Sequence, residues 1–315
     1  PLRTTIISLM DVPAAPGAYK LLAATFAGAR RWFNADVRLQ ALPQPFRLWT
    51  DGLENPVLEE IGAGTEALHL AEQAARSDLL RDPAYRARFK QQWQNKFKSR
   101  AYHRDLAEAR IVGCPDATLV GKSFAEVATL RGTDRVDTFL DLAAEFGNDL
   151  RWETTAGNGN EEAVAWIVEQ PQAQIGFSDA GAHLRNMAFY NFPIRLLALV
   201  RKRQDAGQHI LTLGQAVHRV TAELADFLGI DAGRLQVGAR ADLVVIDPTL
   251  LDDRVADVVE EPMPGIESVR RLVNRGDDAI KAVMIGGKVA WDDQGRAAGL
   301  GTQAGYGRLL RNARS

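Results

Sequence analysis

The chain has 315 residues, of which 46% are hydrophobic and 25% charged, with a formal net charge of −2. That is long enough to bury a large core, and the composition is ordinary for a soluble protein of one or two domains. The near-neutral balance excludes an electrostatic footprint for nucleic acid, and no run reaches the ~18 apolar residues of a membrane span.

Residues 4–9 open on four β-branched side chains and read as a strand. Residues 18–33 read as one helix, with Leu21, Leu22, Thr25, Phe26 and Ala29 forming an apolar stripe. In residues 36–42, Val37, Leu39 and Ala41 alternate with Asp36, Arg38 and Gln40, as in a strand. Strand, helix, strand is the parallel-sheet unit, and Pro43-Gln44-Pro45 ends it. From about 50 to 110 the chain is polar and helical, with Asp82-Pro83 as a helix start. Cys114, the single cysteine, excludes an internal disulfide and agrees with a reducing cytoplasm. Set between Gly113 and Pro115, far from any histidine, it reads as a packed strand end rather than a ligand or nucleophile.

Residues 131–146 form another amphipathic helix, and residues 150–154 a strand. Ala156-Gly157-Asn158-Gly159-Asn160 is a loop of turn residues, expected at the same end as the other strand ends. Glu161-Glu162 open a helix at its positive end. Residues 173–179 are a short strand. Arg201-Lys202-Arg203 is a solvated helix end. Residues 212–228 read as one helix, with a Thr212/Gln215 capping box, an apolar stripe through Leu213, Val217, Val220, Leu224 and Phe227, and Gly229 as its stop. His218 is at the edge of that stripe and reads as a surface or half-buried histidine. Residues 241–247, 280–285 and 288–291 are strands, the last two joined by the hairpin turn Gly286-Gly287. The start has no basic-then-apolar leader, and its direct entry into a strand suggests truncation.

The most informative stretch is Ile175-Gly176-Phe177-Ser178-Asp179-Ala180-Gly181-Ala182-His183. A carboxylate at the end of a buried strand, beside a glycine turn, is where an α/β barrel places catalytic groups. The other reading of Asp179 is a loop aspartate capping the next helix. Rival chemistries lack their signatures. Ser178 has no G-x-S-x-G elbow, and there is no dinucleotide fingerprint or phosphate loop. The five histidines (His69, His103, His183, His209 and His218) form neither His-x-His nor H-E-x-x-H.

Residues 175–184 resemble the last barrel strand of amidohydrolases related to D-aminoacylase and N-acyl-D-amino-acid deacylase. Three further segments fit the same family in the same order. They are Leu80-Arg81-Asp82-Pro83-Ala84-Tyr85-Arg86, Gly121-Lys122-Ser123-Phe124-Ala125-Glu126-Val127-Ala128, and the run from Gly238 through Arg240 and Asp242 to Asp247. The resemblance implies an α/β fold: the C-terminal part of a metal-dependent (β/α)8 (TIM) barrel plus a small β-sandwich domain. Residues 1–235 would be the partial barrel, with a helical insertion at about 50–110 whose Trp93, Phe97 and Tyr102 pack on it. Residues 236–315 would give strands of the sandwich and a tail, with open edges. The implied activity is hydrolysis of a C–N amide bond, most simply in an N-acyl-D-amino acid, by metal-activated water with one or two Zn2+ ions. Asp179 would be the general base and could touch the metal. His183 could hold substrate or metal, or only fix the loop. Arg185 could bind a substrate carboxylate in bidentate fashion, or form a structural ion pair. Leu9 falls about where the family carries a metal histidine. The main ligands would therefore come from a missing N-terminal barrel segment or a partner subunit. The alternatives are a non-catalytic fragment or scaffold half-barrel, and a cyclic amide or urea hydrolase.

Overall fold

In the computed structural model, which describes residues 2–95, 102–178, 183–274 and 278–312, the chain begins with β1 (Leu2–Leu9), α1 (Ala18–Ala27), α2 (Ala29–Phe33), β2 (Ala35–Ala41) and β3 (Phe46–Asp51). It continues through α3 (Gly62–Leu68), α4 (Gln73–Arg81), α5 (Pro83–Trp93), β4 (Arg110–Gly113), α6 (Phe124–Arg131), α7 (Arg135–Phe146) and β5 (Arg151–Gly157). Next come α8 (Glu161–Glu169), β6 (Ala173–Ile175), α9 (Phe192–Asp205), α10 (Leu213–Arg219) and α11 (Ala222–Leu228). The last strands are β7 (Leu243–Ile246), β8 (Val259–Met263), β9 (Ile266–Val273), β10 (Ile280–Ile285), β11 (Lys288–Asp292) and β12 (Gly295–Arg296).

β1, β2 and β6 form a parallel sheet in the order β1-β2-β6, so their C-terminal ends share one mouth. Helices on its face bury it, as parallel strands require. Leu9, Leu39, Ala173 and Ile175 pack with Ile167 of α8 and Leu196 and Val200 of α9. Among the described residues nothing pairs with the outer edge of β1. The helix expected over 18–33 breaks at Gly28, and its stripe is not buried as a unit. Only Tyr19 and Ala23 of α1 are buried, while Leu21 is 73% exposed and Phe33 77%. The periodicity is present, but no described element covers that face.

The segment 46–157 differs from the expected helical insertion. It contains an antiparallel sheet, β3-β5-β4, wrapped by α3–α7 around a core of its own. The strand expected at 150–154 is present as β5, but in this sheet rather than among the parallel strands. Trp93 and Tyr102 pack here with Phe89 and Phe139 instead of against the parallel sheet. Phe97 lies outside the described residues. Local signals place the helices: Asp82 accepts the Tyr85 N–H at the start of α5, Ser123 and Glu126 form a capping box on α6, and Asp134 caps α7.

The helix expected over 212–228 is two helices. The Thr212/Gln215 capping box and the left-handed Gly229 stop are both present, but the chain breaks at the β-branched pair Val220-Thr221. Arg219, buried at the break, donates to the carbonyls of Glu169, Gln170 and Ala173, tying α10 to the end of α8. Further on, β12-β11-β10-β7 form an antiparallel sheet, and Gly286 and Gly287 (φ 58° and 80°) make the tight hairpin turn. Val244, Val245 and Val289 on this sheet are exposed. Among the described residues β8 and β9 pair only with each other, and the Leu272 N–H docks the hairpin on the Leu184 carbonyl. No helix among the described residues is long and apolar enough to cross a membrane.

Candidate active site at the parallel-strand mouth

The mouth is built from the segments just beyond three strand ends: Met10 and Asp11 after β1, Leu42 to Gln44 after β2, and Gly176 to Ser178 after β6. β1 reaches it through a bulge. Three residues of β1 span two of β2 between the Ile6↔Leu39 and Leu9↔Ala41 pairs, and Ser8 takes a left-handed φ of 70°. Leu9 then points inward and is fully buried in the core, so this position offers no ligand to the mouth.

Asn158 holds the mouth together. It is 1% exposed and left-handed, with φ 54°. Its Oδ1 accepts the Asp11 N–H (3.0 Å), and its Nδ2 donates to the carbonyls of Leu42 (3.0 Å) and Gln44 (3.3 Å). Its own N–H donates to the Asp11 carbonyl at 2.7 Å. One side chain thus fastens the ends of β1, β2 and β5. A Cβ at Gly157 beside it would meet the Met10 Sδ at 2.5 Å and the Asp11 carbonyl oxygen at 3.2 Å, so a larger residue there requires Met10 to shift. Phe46, Phe177 and Phe189 form an aromatic wall, with ring centroids 6.3 and 5.1 Å from Phe46.

Asp179 lies outside the described residues. β6 itself is shorter than the strand expected over 173–179 and ends at Ile175. His183 is half-buried, and its carbonyl accepts the N–H groups of Asn186 and Met187, starting a turn. Arg185 is not at the mouth. Its Nε and Nη2 grip Asp51 (2.8 and 2.9 Å), and its Nη1 reaches Glu260 (2.9 Å). Arg151 pairs with the same two carboxylates, closing a ring of four charges. Asp51 is five residues along β3 from Phe46, roughly 17 Å from the mouth end of that strand. The hydrogen bonds to Asp51 hold the Arg185 pKa above its ordinary value against the effect of burial. Of the two roles open to Arg185, the ion pair is the arrangement present. Arg185→Ala is expected to cost about 1–2 kcal/mol of stability and to leave KM unchanged in the full-length protein. A large rise in KM at unchanged melting temperature would return Arg185 to substrate binding.

Other candidates resolve simply. The two ring nitrogens of His103 are both engaged with backbone, Nδ1 accepting the Asp105 N–H and Nε2 facing the Thr155 carbonyl at 2.9 Å. His69, His209 and His218 are exposed. Burial, the leading cause, pushes the Cys114 thiol up, away from nucleophilic use. Among the described residues no three His, Cys, Asp or Glu side chains could together hold a metal ion. Sequence reasoning passed over Asp11, a half-buried carboxylate at a strand end whose backbone Asn158 fixes on both sides. It shares with Asp179 the position just beyond a strand end, without the glycine turn.

The amidohydrolase family profile matches residues 96–290. Uncharacterized proteins of Mycobacterium tuberculosis (strain H37Rv) and Mycobacterium bovis are each 41% identical over 315 residues, covering 99% of this chain and 51% of the relative. The chain thus spans about half the length of the curated relatives it matches. N-acyl-D-glutamate deacylase from Bordetella bronchiseptica, solved with zinc and a phosphonate inhibitor, superposes with a TM-score of 0.53 at 22% identity, over 98% of this chain and 50% of that one. D-aminoacylase superposes with a TM-score of 0.50 at 20% identity, over 99% and 50%. At such identities the likeness is one of fold: this is the architecture of part of a barrel amidohydrolase. With the profile covering well over half its length, the chain belongs to the amidohydrolase family.

Proposed function

We propose that the whole protein hydrolyses a C–N amide bond in an N-acyl amino acid, and that this chain supplies the Asp179 end of its active site. The observation that carries the reading is the mouth itself. Asn158 ties the ends of the parallel strands β1 and β2 to the end of β5, and β6, paired with β2, is followed in the sequence by the Ser178-Asp179 pair. In an amidohydrolase a carboxylate there takes a proton from the attacking water and returns it to the leaving amine. The described residues do not by themselves fit a metal site: Leu9 is core, and His103 is spent on backbone. The zinc ligands of this reading therefore come from a further segment, in the same polypeptide or a partner, paired along the open edge of β1. The exposed apolar side chains of α1 and α2 support such a covering element. The D configuration of the substrate rests on the resemblance to the deacylases, and a cytoplasmic location on the single cysteine.

The test uses the full-length protein, with subunit masses checked by intact mass spectrometry. Metal content is measured by elemental analysis, and amine release is followed from N-acetyl-D- and N-acetyl-L-amino acids and a cyclic amide. The expected result is about one or two zinc ions per chain, turnover of the D series, and its loss in Asp179→Asn with metal retained. Turnover confined to the cyclic amide gives the site to that substrate class. Neither metal nor turnover makes the chain a scaffold.

A further inference from the structure

Beside the mouth, between α8 and α9, there is a cavity of about 360 Å³, with a smaller one of about 50 Å³ adjoining it. Three residues line both: Arg195, in the first turn of α9, and Gln44 and Pro45, from the loop after β2. Gln44 is 7% exposed, and its Nε2 has no hydrogen-bond partner. The guanidinium of Arg195, which is half-buried, makes no hydrogen bond or ion pair among the described residues. An arginine cannot shed its proton, so a charge so placed calls for a matching acceptor.

The other charges around the larger cavity are mostly committed. Lys202 pairs with Glu161 (2.6 Å), Arg201 with Asp205 (3.0 Å), and Asp252 with Arg254 (2.8 Å). Asp253 also lines the cavity and attracts Arg195 without touching it. Arg47, across the smaller cavity, leans on Glu153 at 3.9 Å. Besides Asp253, the remaining groups are one planar cation and one amide donor, from different elements, facing a common space. The opposite wall is apolar, with Val164, Leu199 and Leu251.

We infer that this cavity binds a small monocarboxylate with an apolar body, its carboxylate held by Arg195 and Gln44 and its body lying against Val164, Leu199 and Leu251. A guanidinium takes both oxygens of a carboxylate in one plane, and the amide N–H supplies a third bond to the same acceptor. The volume fits a small molecule rather than a lone ion. The site does not depend on the hydrolase reading: Gln44 shares its loop with the mouth, but neither its side chain nor Arg195 has a part in that chemistry.

The experiment is an NMR titration of the full chain with butyrate, with neutral butyramide as its isostere. Butyrate is expected to bind at millimolar concentration and butyramide at least about tenfold more weakly. Arg195→Met, which keeps the length of the side chain, is expected to lose about tenfold or more in butyrate affinity. Its melting temperature is expected to hold or rise, since a half-buried unpaired charge has been removed. Gln44→Met is expected to weaken binding severalfold, and Arg195→Lys, which keeps charge but not the fork, to bind more weakly than wild type. Equal binding of butyrate and butyramide, undiminished butyrate binding in Arg195→Met, or no butyrate binding by the wild-type chain would each overturn the assignment.

Discussion

Asn158→Ala is expected to destabilise the protein by about 3–5 kcal/mol. The side chain makes three hydrogen bonds from a fully buried position, so its loss leaves the Asp11 N–H and the Leu42 and Gln44 carbonyls without their partner. Each buried orphan costs about 1–3 kcal/mol, less where water can follow the cavity. Alanine also tolerates the φ of 54° poorly, which adds about 1 kcal/mol. Asn158→Gly removes the same bonds without the backbone strain, so the difference between the two variants reads that strain less the extra unfolded-state entropy of glycine. Asn158→Asp sets a carboxylate oxygen against two carbonyls and is expected to match or exceed the alanine loss. Urea denaturation checks all three. An Asn158→Ala midpoint that yields a change within about 0.5 kcal/mol of wild type would show that these bonds do not hold the mouth.

Trp152→Ala is expected to cost about 3–5 kcal/mol. Trp152 is fully buried, meets Phe124 and Phe139 edge-on with both ring centroids 5.7 Å away, and donates its indole N–H to the Gly52 carbonyl at 2.8 Å. Truncation opens a large void and strands that carbonyl. Trp152→Phe refills part of the volume but not the hydrogen bond, so an intermediate loss of about 2 kcal/mol is expected. The damage has an address. Hydrogen exchange is expected to accelerate in β3, β5 and α7 and to change little in β1 and β2, which belong to the other core. Uniform acceleration across both cores would mean that the two unfold as one.

Features fixed within a few residues were legible in the sequence. The caps at Asp82 and Thr212, the stop at Gly229 and the turn at Gly286-Gly287 all rest on contacts at most a few residues apart. Features fixed by distant partners were not. In β3, Leu48, Trp49 and Thr50 are buried in succession, so alternation gives no strand signal, and the ladder partner β5 is about a hundred residues further on. The helix breaks at Gly28 and at Val220-Thr221 interrupt stripes whose periodicity continues across them. Nothing beside Arg185 announces Asp51, 134 positions away. Asn158 looked like any turn residue, because its importance lies in which three segments it touches. Residues 173–175 were readable as a strand, yet their ladder partner β2 lies more than a hundred residues earlier.

The Asn158 clasp also bears on how such a chain could acquire its middle third. The segment from β3 to β5 leaves the parallel strands after Gln44 and returns at Asn158, and those two residues are one hydrogen bond apart. A loop whose ends are already pinned adds little closure entropy however long it grows, since that cost rises only logarithmically with length. The body between these points is thus a cassette. It can be lengthened, shortened or exchanged between relatives without re-registering β1, β2 and β6, provided that Asn158 and the carbonyls it binds are kept.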